Sequence, residues 1–122
     1  MNPVIKQAFE FEMDAARQQV KTGDLDAAFY HLERAHVIGQ LNVVPHVRSH
    51  WWMLRIGFKR HSIAEVWGQT IRIALGALGS AVGVVPTGNT GGTNISMFSK
   101  LPIHADIKEI LHPGKKLDQF KG

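Results

Sequence analysis

Thr22-Gly23-Asp24-Leu25-Asp26-Ala27-Ala28-Phe29 decides the fold. Gly23 is a helix stop and Asp24 a helix cap, set side by side, so two helices meet with almost no loop between them. A turn this tight forces antiparallel packing. Upstream, Asn2-Pro3 supplies a cap and a proline at the first helical position, where its missing donor costs nothing. Ile5, Ala8, Phe9, Ala15, Ala16 and Val20 then recur at helical spacing, with Glu10, Asp14, Arg17 and Lys21 on the opposite face. Downstream, Leu25, Ala28, Phe29, Leu32, Ala35 and His36 share one side of a second helix. Helices are expected over residues 3–22 and 25–39.

A third helix is expected over 45–59, with Val47, Trp51, Leu54 and Phe58 as its packing face. Ser62-x-x-Glu65 is a capping box that opens a fourth, over 62–84. This fourth helix carries Gly68, Gly76, Gly79 and Gly83 among alanines and Ser80. Glycine inside a helix costs roughly 1 kcal/mol against alanine, a cost that makes sense where neighbouring backbones approach closely. It is therefore expected as the central buried helix, with residues 68–83 also a candidate surface for a homo-oligomer. After Pro86 a glycine-rich loop is expected over 86–100, then a short helix over 104–111 and a polar tail over 113–122. No strand pair is visible. The fold class is all-α: an antiparallel bundle of two helical hairpins forming one domain over 1–112. The pattern Gly23-Asp24-x-x-x-Ala28 is tetratricopeptide-like, but only one such unit is present.

Composition narrows the function classes. With 122 residues, 44% apolar and 20% charged, the chain is the size and texture of one globular domain rather than a disordered segment. The absence of cysteine excludes disulfide scaffolds, thiolate metal sites and cysteine nucleophiles. The net charge is +4, but Arg48, Arg55, Lys59, Arg60, Lys115, Lys116 and Lys121 are dispersed and no helix carries a continuous basic face, so nucleic acid is not an expected partner. The most apolar run, Ala74 to Val85, is 12 residues, short of the ~20 needed to cross a bilayer. No membrane association is expected, and without a secretory signal pattern at Met1 to Asp14 the expected compartment is cytoplasmic.

The outlier is histidine: seven residues, four of them between His31 and His50. Glu33-x-x-His36 offers a carboxylate and an imidazole on one helical face, the spacing used by helix-bundle metal sites. His46-x-x-x-His50 offers two imidazoles one turn apart. Counting from the turns, Glu12 and Glu33 lie at similar height in the first hairpin, and His36 lies opposite His46. Glu12 also falls within the apolar stripe, where a buried carboxylate is costly unless paired or metal-bound. The expected metal ligands are therefore Glu12, Glu33, His36, His46 and His50. His31, five residues before His36, points ~140° away and is expected nearby or at the surface; His61, His104 and His112 fall at helix edges or in the tail.

Imidazole and carboxylate ligands suit a divalent transition metal: Fe, Mn, Zn, Ni, Co or Cu(II). Such a set could form a closed mononuclear or a lopsided dinuclear site; the four carboxylates and paired Glu-x-x-His units of a symmetric di-iron site are not offered. Gly88-Asn89-Thr90-Gly91-Gly92 lacks the Lys-Ser/Thr ending of a phosphate-binding loop and is expected to cap the bundle. Trp51, Trp52 and Trp67 read as core or interface aromatics, and Thr93, Ser96 and Ser99 have no His–Asp partner in sequence.

Across His31 to Gln40, His46 to Leu54, Gly68-Gln69-x-x-Arg72-Ile73, Pro86 to Gly92 and Leu101-Pro102-Ile103 with Ile107, the chain resembles an uncharacterised bacterial family, a domain of unknown function. The resemblance covers most of the chain and implies no activity. His104 stands where the family pattern commonly has proline, which argues against a role for it. Three readings stay open: a small metal-binding protein, a metal-dependent enzyme whose glycine-rich loop covers an open coordination position, and a tetratricopeptide-like interaction module in which the histidines are a polar network.

Overall fold

A computed structural model of the protein describes residues 1–93, 95, 96 and 98–114. Five helices follow in order: α1 (Pro3–Thr22), α2 (Leu25–Gly39), α3 (Val43–Lys59), α4 (Ile63–Ala81) and α5 (Ala105–Leu111). There is no strand among the described residues. The expected tail over 113–122 lies mostly outside the described residues.

The helix ends form for the expected reasons. The Asn2 side chain accepts from the Val4 N–H, Asp24 from Ala27 and Ser62 from Glu65, each satisfying a first-turn donor that has no partner within its helix. Gly23 closes α1 in the left-handed conformation, and its N–H returns to the carbonyls of Gln19 and Val20. The α1/α2 and α3/α4 hairpins follow, with α2 also packed on α3 and the short α5 set against α1 and α2. Their shared core comprises Phe9, Met13 and Ala16 from α1, Ala28, Leu32, Ala35, Val37 and Ile38 from α2, Met53 and Ile56 from α3, and Ile107 from α5. Full burial of each large side chain contributes about 1.5–3 kcal/mol.

Three expectations are corrected. First, α4 is not the central helix: no α4 residue belongs to the core, and its buried residues are Gln69, Arg72 and Ser80. Its apolar face, including Ile63, Trp67, Ile71, Leu75 and Leu78, is exposed. The glycines serve close approach of another kind. A Cβ at Gly68 would collide with Thr93, one at Gly79 with the Val84 carbonyl, and one at Gly76 would press on the His46 ring.

Second, α4 ends at Ala81 rather than at residue 84. Gly83 has φ 75°, and the N–H groups of Gly83 and Val84 bond back to the carbonyls of Ser80 (3.3 Å) and Gly79 (2.8 Å). This pair of bonds closes the helix. Third, α3 buries a different face. Trp51 and Phe58 are exposed, whereas His46, Ser49, His50, Met53, Ile56 and Gly57 point inward alongside Leu54. The buried stripe is half polar, so a search for apolar periodicity selects the wrong side.

Candidate metal centre

His36 sits in the last turn of α2. His46 and His50 occupy the first two turns of α3, across the tight Gln40-Leu41-Asn42 turn. Gly39 allows this crossing: a Cβ there would lie 2.7 Å from the Pro45 Cβ and 3.0 Å from the Phe9 ring. The result is three imidazoles in mutual contact, with ring centroids 4.5 Å (His36–His50), 4.6 Å (His36–His46) and 5.0 Å (His46–His50) apart. Each is 5% exposed or less. One ring nitrogen from each lies within 4.8 Å of the others, so this buried cluster could hold a metal ion.

The surrounding acceptors fix the tautomers. His36 Nδ1 lies 2.6 Å from the Asn89 carbonyl oxygen, which can only accept, so Nδ1 carries the proton. His50 Nδ1 lies 2.5 Å from Gln69 Oε1. The Gln69 amide nitrogen donates to the Gly91 carbonyl and to Glu65, each at 2.8 Å, which leaves its oxygen facing the imidazole. His46 Nδ1 meets the Ser80 hydroxyl, whose own proton goes to the Gln40 carbonyl at 2.7 Å; Ser80 therefore accepts from His46. All three Nδ1–H groups are committed, and all three Nε2 atoms keep a lone pair.

Two of those lone pairs face each other, with His36 Nε2 and His50 Nε2 3.0 Å apart. A shared proton does not fill the gap at neutral pH. Burial first, and then the neighbouring His46, pushes His50 down to about 3, and burial pushes His46 down to about 4. His36 is also driven well below the ordinary histidine range, by burial first and then by His50 and His46.

The glycine-rich loop, expected only to cap the bundle, packs against this cluster. Gly91, at φ 86°, lies so close to the His36 ring that a Cβ would come within 2.7 Å of it. The buried Asn89 side chain holds the loop in shape by donating to the carbonyls of Ser96 and Ser99 and accepting from the Gly91 N–H. Gly88 donates to Gln40. On the other side, the three histidines form the floor of a cavity of about 700 Å³ whose walls are mostly apolar.

Arg72 also lines this cavity and is 8% exposed. One of its terminal nitrogens donates to the Ile95 carbonyl at 2.7 Å, but its Nε–H has no hydrogen-bond partner among the described residues. No carboxylate forms an ion pair with it among the described residues. Burial lowers its affinity for its proton, partly offset by the charge of Glu65.

The two carboxylates expected at the site are placed elsewhere. Glu12 is buried, as its stripe position implied, but its oxygens accept from His31 Nδ1 at 2.7 Å and Arg34 Nε at 2.8 Å. Arg34 continues to Asp106 at the start of α5. Glu33 lines a separate small cavity with Tyr30, Ile103 and His104. Burial and the charge of Glu65 raise its carboxyl above the ordinary range. Of the five expected ligands, the structure brings together His36, His46 and His50. Sequence reasoning missed the groups that orient them, Gln69, Ser80 and Asn89, and the nearby charge of Arg72. For Gln69 and Arg72 the available signal was a polar pair one turn apart in an otherwise apolar helix.

These features define a class: an all-α protein of two helical hairpins with a buried three-histidine cluster beneath a glycine-rich loop. Within that class, the chain belongs to the family described as "Protein of unknown function (DUF3703)", whose model matches residues 3–111. Comparison with curated proteins and with solved structures gives no match. No helix is long and apolar enough to cross a membrane among the described residues.

Proposed function

We propose that the protein binds one divalent transition-metal ion through the Nε2 atoms of His36, His46 and His50. The observation that carries the reading is the pair of facing Nε2 lone pairs 3.0 Å apart, with every Nδ1–H already committed. Two lone pairs repel unless a cation lies between them. Two imidazole nitrogens on one tetrahedral ion at 2.0–2.1 Å would stand roughly 3.3 Å apart, so the His36–His50 pair needs a movement of a few tenths of an ångström, and His46, whose ligand atom lies within 4.8 Å of theirs, closes in as the third ligand. Carbonyl, amide and hydroxyl acceptors on the far nitrogens are the outer contacts that orient metal-bound histidines and raise their basicity.

The donor set narrows the five-ligand expectation to three neutral imidazoles. Such ligands favour Zn, Co, Ni, Cu(II) or Fe over Mg or Ca. Three protein ligands leave a coordination position free, and the cavity on which the histidines border gives that position room. This favours an open, reactive or exchange site over a closed structural one. Untagged protein should carry about one equivalent of metal by elemental analysis, or take up one equivalent of Zn(II) or Co(II). Stoichiometry no higher than that of a variant lacking all three histidines would overturn the proposal.

A further inference from the structure

Arg72 poses a problem the histidines do not solve. It is a buried guanidinium with an unpartnered Nε–H and no ion pair among the described residues. A cation held this way is costly unless an anion reaches it. The charge of Glu65 offsets this burial only in part, three neutral imidazoles bring no negative charge, and a divalent ion on them would deepen the local excess of positive charge. The cavity that exposes Arg72 is otherwise of opposite character. Its walls are built by Leu75, Leu78, Val82, Val84 and Phe98, and Leu78, Val84 and Phe98 are more than 60% exposed at the mouth. Its volume, about 700 Å³, lies within the range of small-molecule sites, ~300–1,000 Å³.

We propose that this cavity binds an apolar monocarboxylate, with the carboxylate on the Arg72 guanidinium beside the histidines and the tail along the apolar wall to the Phe98 rim. The head supplies the guanidinium that borders the cavity with a charge-assisted partner, and the tail covers apolar surface that otherwise faces water. This goes beyond the metal reading, since Arg72 requires an anion whether or not the histidines hold an ion. Where both are present, the same head also lies within the room left beside the free coordination position.

The test uses decanoate as the probe, titrated at pH 7 by calorimetry into metal-free and Zn-loaded full-length protein. Saturable binding at one site per chain is expected in the metal-free form. 1-Decanol and acetate should each bind at least about 10-fold more weakly, because one lacks the charge and the other the tail. Arg72→Met should weaken decanoate by about 10-fold or more while leaving decanol unchanged. Should that variant fail to fold, the comparison of decanoate with decanol on the unaltered protein decides alone. Equal affinity for the two, or no saturable decanoate binding in either form, overturns the proposal. Decanoate binding without metal uptake would remove the metal reading and leave this one standing; metal uptake without decanoate binding would do the reverse.

Discussion

Helix α2 contributes to two ionisable clusters, one around the buried Glu12 and one around three buried histidines, that differ in how their charges are matched. On the side facing α1, His31 and Arg34 surround Glu12, and Arg34 reaches Asp106 beyond it. At the C-terminal end, His36 joins His46 and His50 near Arg72. The first cluster pairs a carboxylate with its cation and satisfies its own hydrogen-bond groups. The second is made of imidazole nitrogens and one positive charge; Glu65 acts on that charge from a distance, and no carboxylate pairs directly with it among the described residues. The first therefore has what a structural ion pair needs, and the second leaves room for what the proposed cation and anion would supply. The lesson is that burial alone does not mark a functional site; an unbalanced donor and charge inventory does.

The largest expected effect breaks the second cluster. His46→Ala together with His50→Ala should abolish metal uptake and lower the thermal midpoint of metal-treated protein, read by elemental analysis and circular dichroism. Unchanged metal content would show that the ion, if any, sits elsewhere.

Next is Glu12→Ala, which leaves Arg34 and His31 without their shared acceptor. Breaking a buried pair in this way costs about 3 kcal/mol, measurable by urea unfolding, while metal stoichiometry should stay at that of the unaltered protein. Loss of metal without loss of stability would return Glu12 to the ligand set and erase the contrast between the clusters.

Gln69→Leu should have a smaller effect. It removes the acceptor on His50 Nδ1, and metal affinity should fall about 10- to 100-fold, with one equivalent still bound at saturation. A competition titration against a chromophoric chelator reads this.

The gentlest perturbation is pH. His46 and His50 bind protons near 4 and 3 in the folded protein, against about 6.5 when unfolded. Between those values the unfolded chain holds more protons, so stability of the metal-free protein is full above about 6.5 and declines as pH falls toward 3. Metal should be released in the same direction, because protons compete for the Nε2 lone pairs. A flat stability profile across this window would show that these histidines are not held neutral by burial.

Much of this was readable before any coordinates. Helix ends followed from Asn2-Pro3, Gly23-Asp24 and Ser62, because capping is local chemistry. His36, His46 and His50 followed from one tight turn and an i, i+4 pair, because a short connection fixes the register of the helices it joins. The height of Glu12 was also right, but its direction around the helix was not. Glu12 and Arg34 flank the Gly23 turn at equal distances in sequence, so a count of residues pairs Glu12 with Glu33 or Arg34 equally well. Only the rotation of α2 against α1 selects Arg34 and His31.

The rest was hidden for related reasons. In α3, inward-pointing histidines and Ser49 mask the buried face, while Trp51 and Phe58 advertise the exposed one. In α4, glycines that make room for Thr93, the His46 ring and the Val84 carbonyl look in sequence like those of a central helix. The hydrogen bonds from Asn89 and Gln69 span long stretches of chain and leave no periodic trace.

The central claim is that all three imidazoles hold their proton on Nδ1 and keep a bare Nε2, with those of His36 and His50 facing each other. Nitrogen-15 NMR of the imidazole rings in metal-free protein at pH 7 reads this directly. The account predicts the Nδ1–H tautomer at His36, His46 and His50, with all three Nε2 resonances shifting together and saturating at one equivalent of Zn(II). An Nε2–H tautomer or an imidazolium at any of the three, or resonances indifferent to zinc, would contradict it.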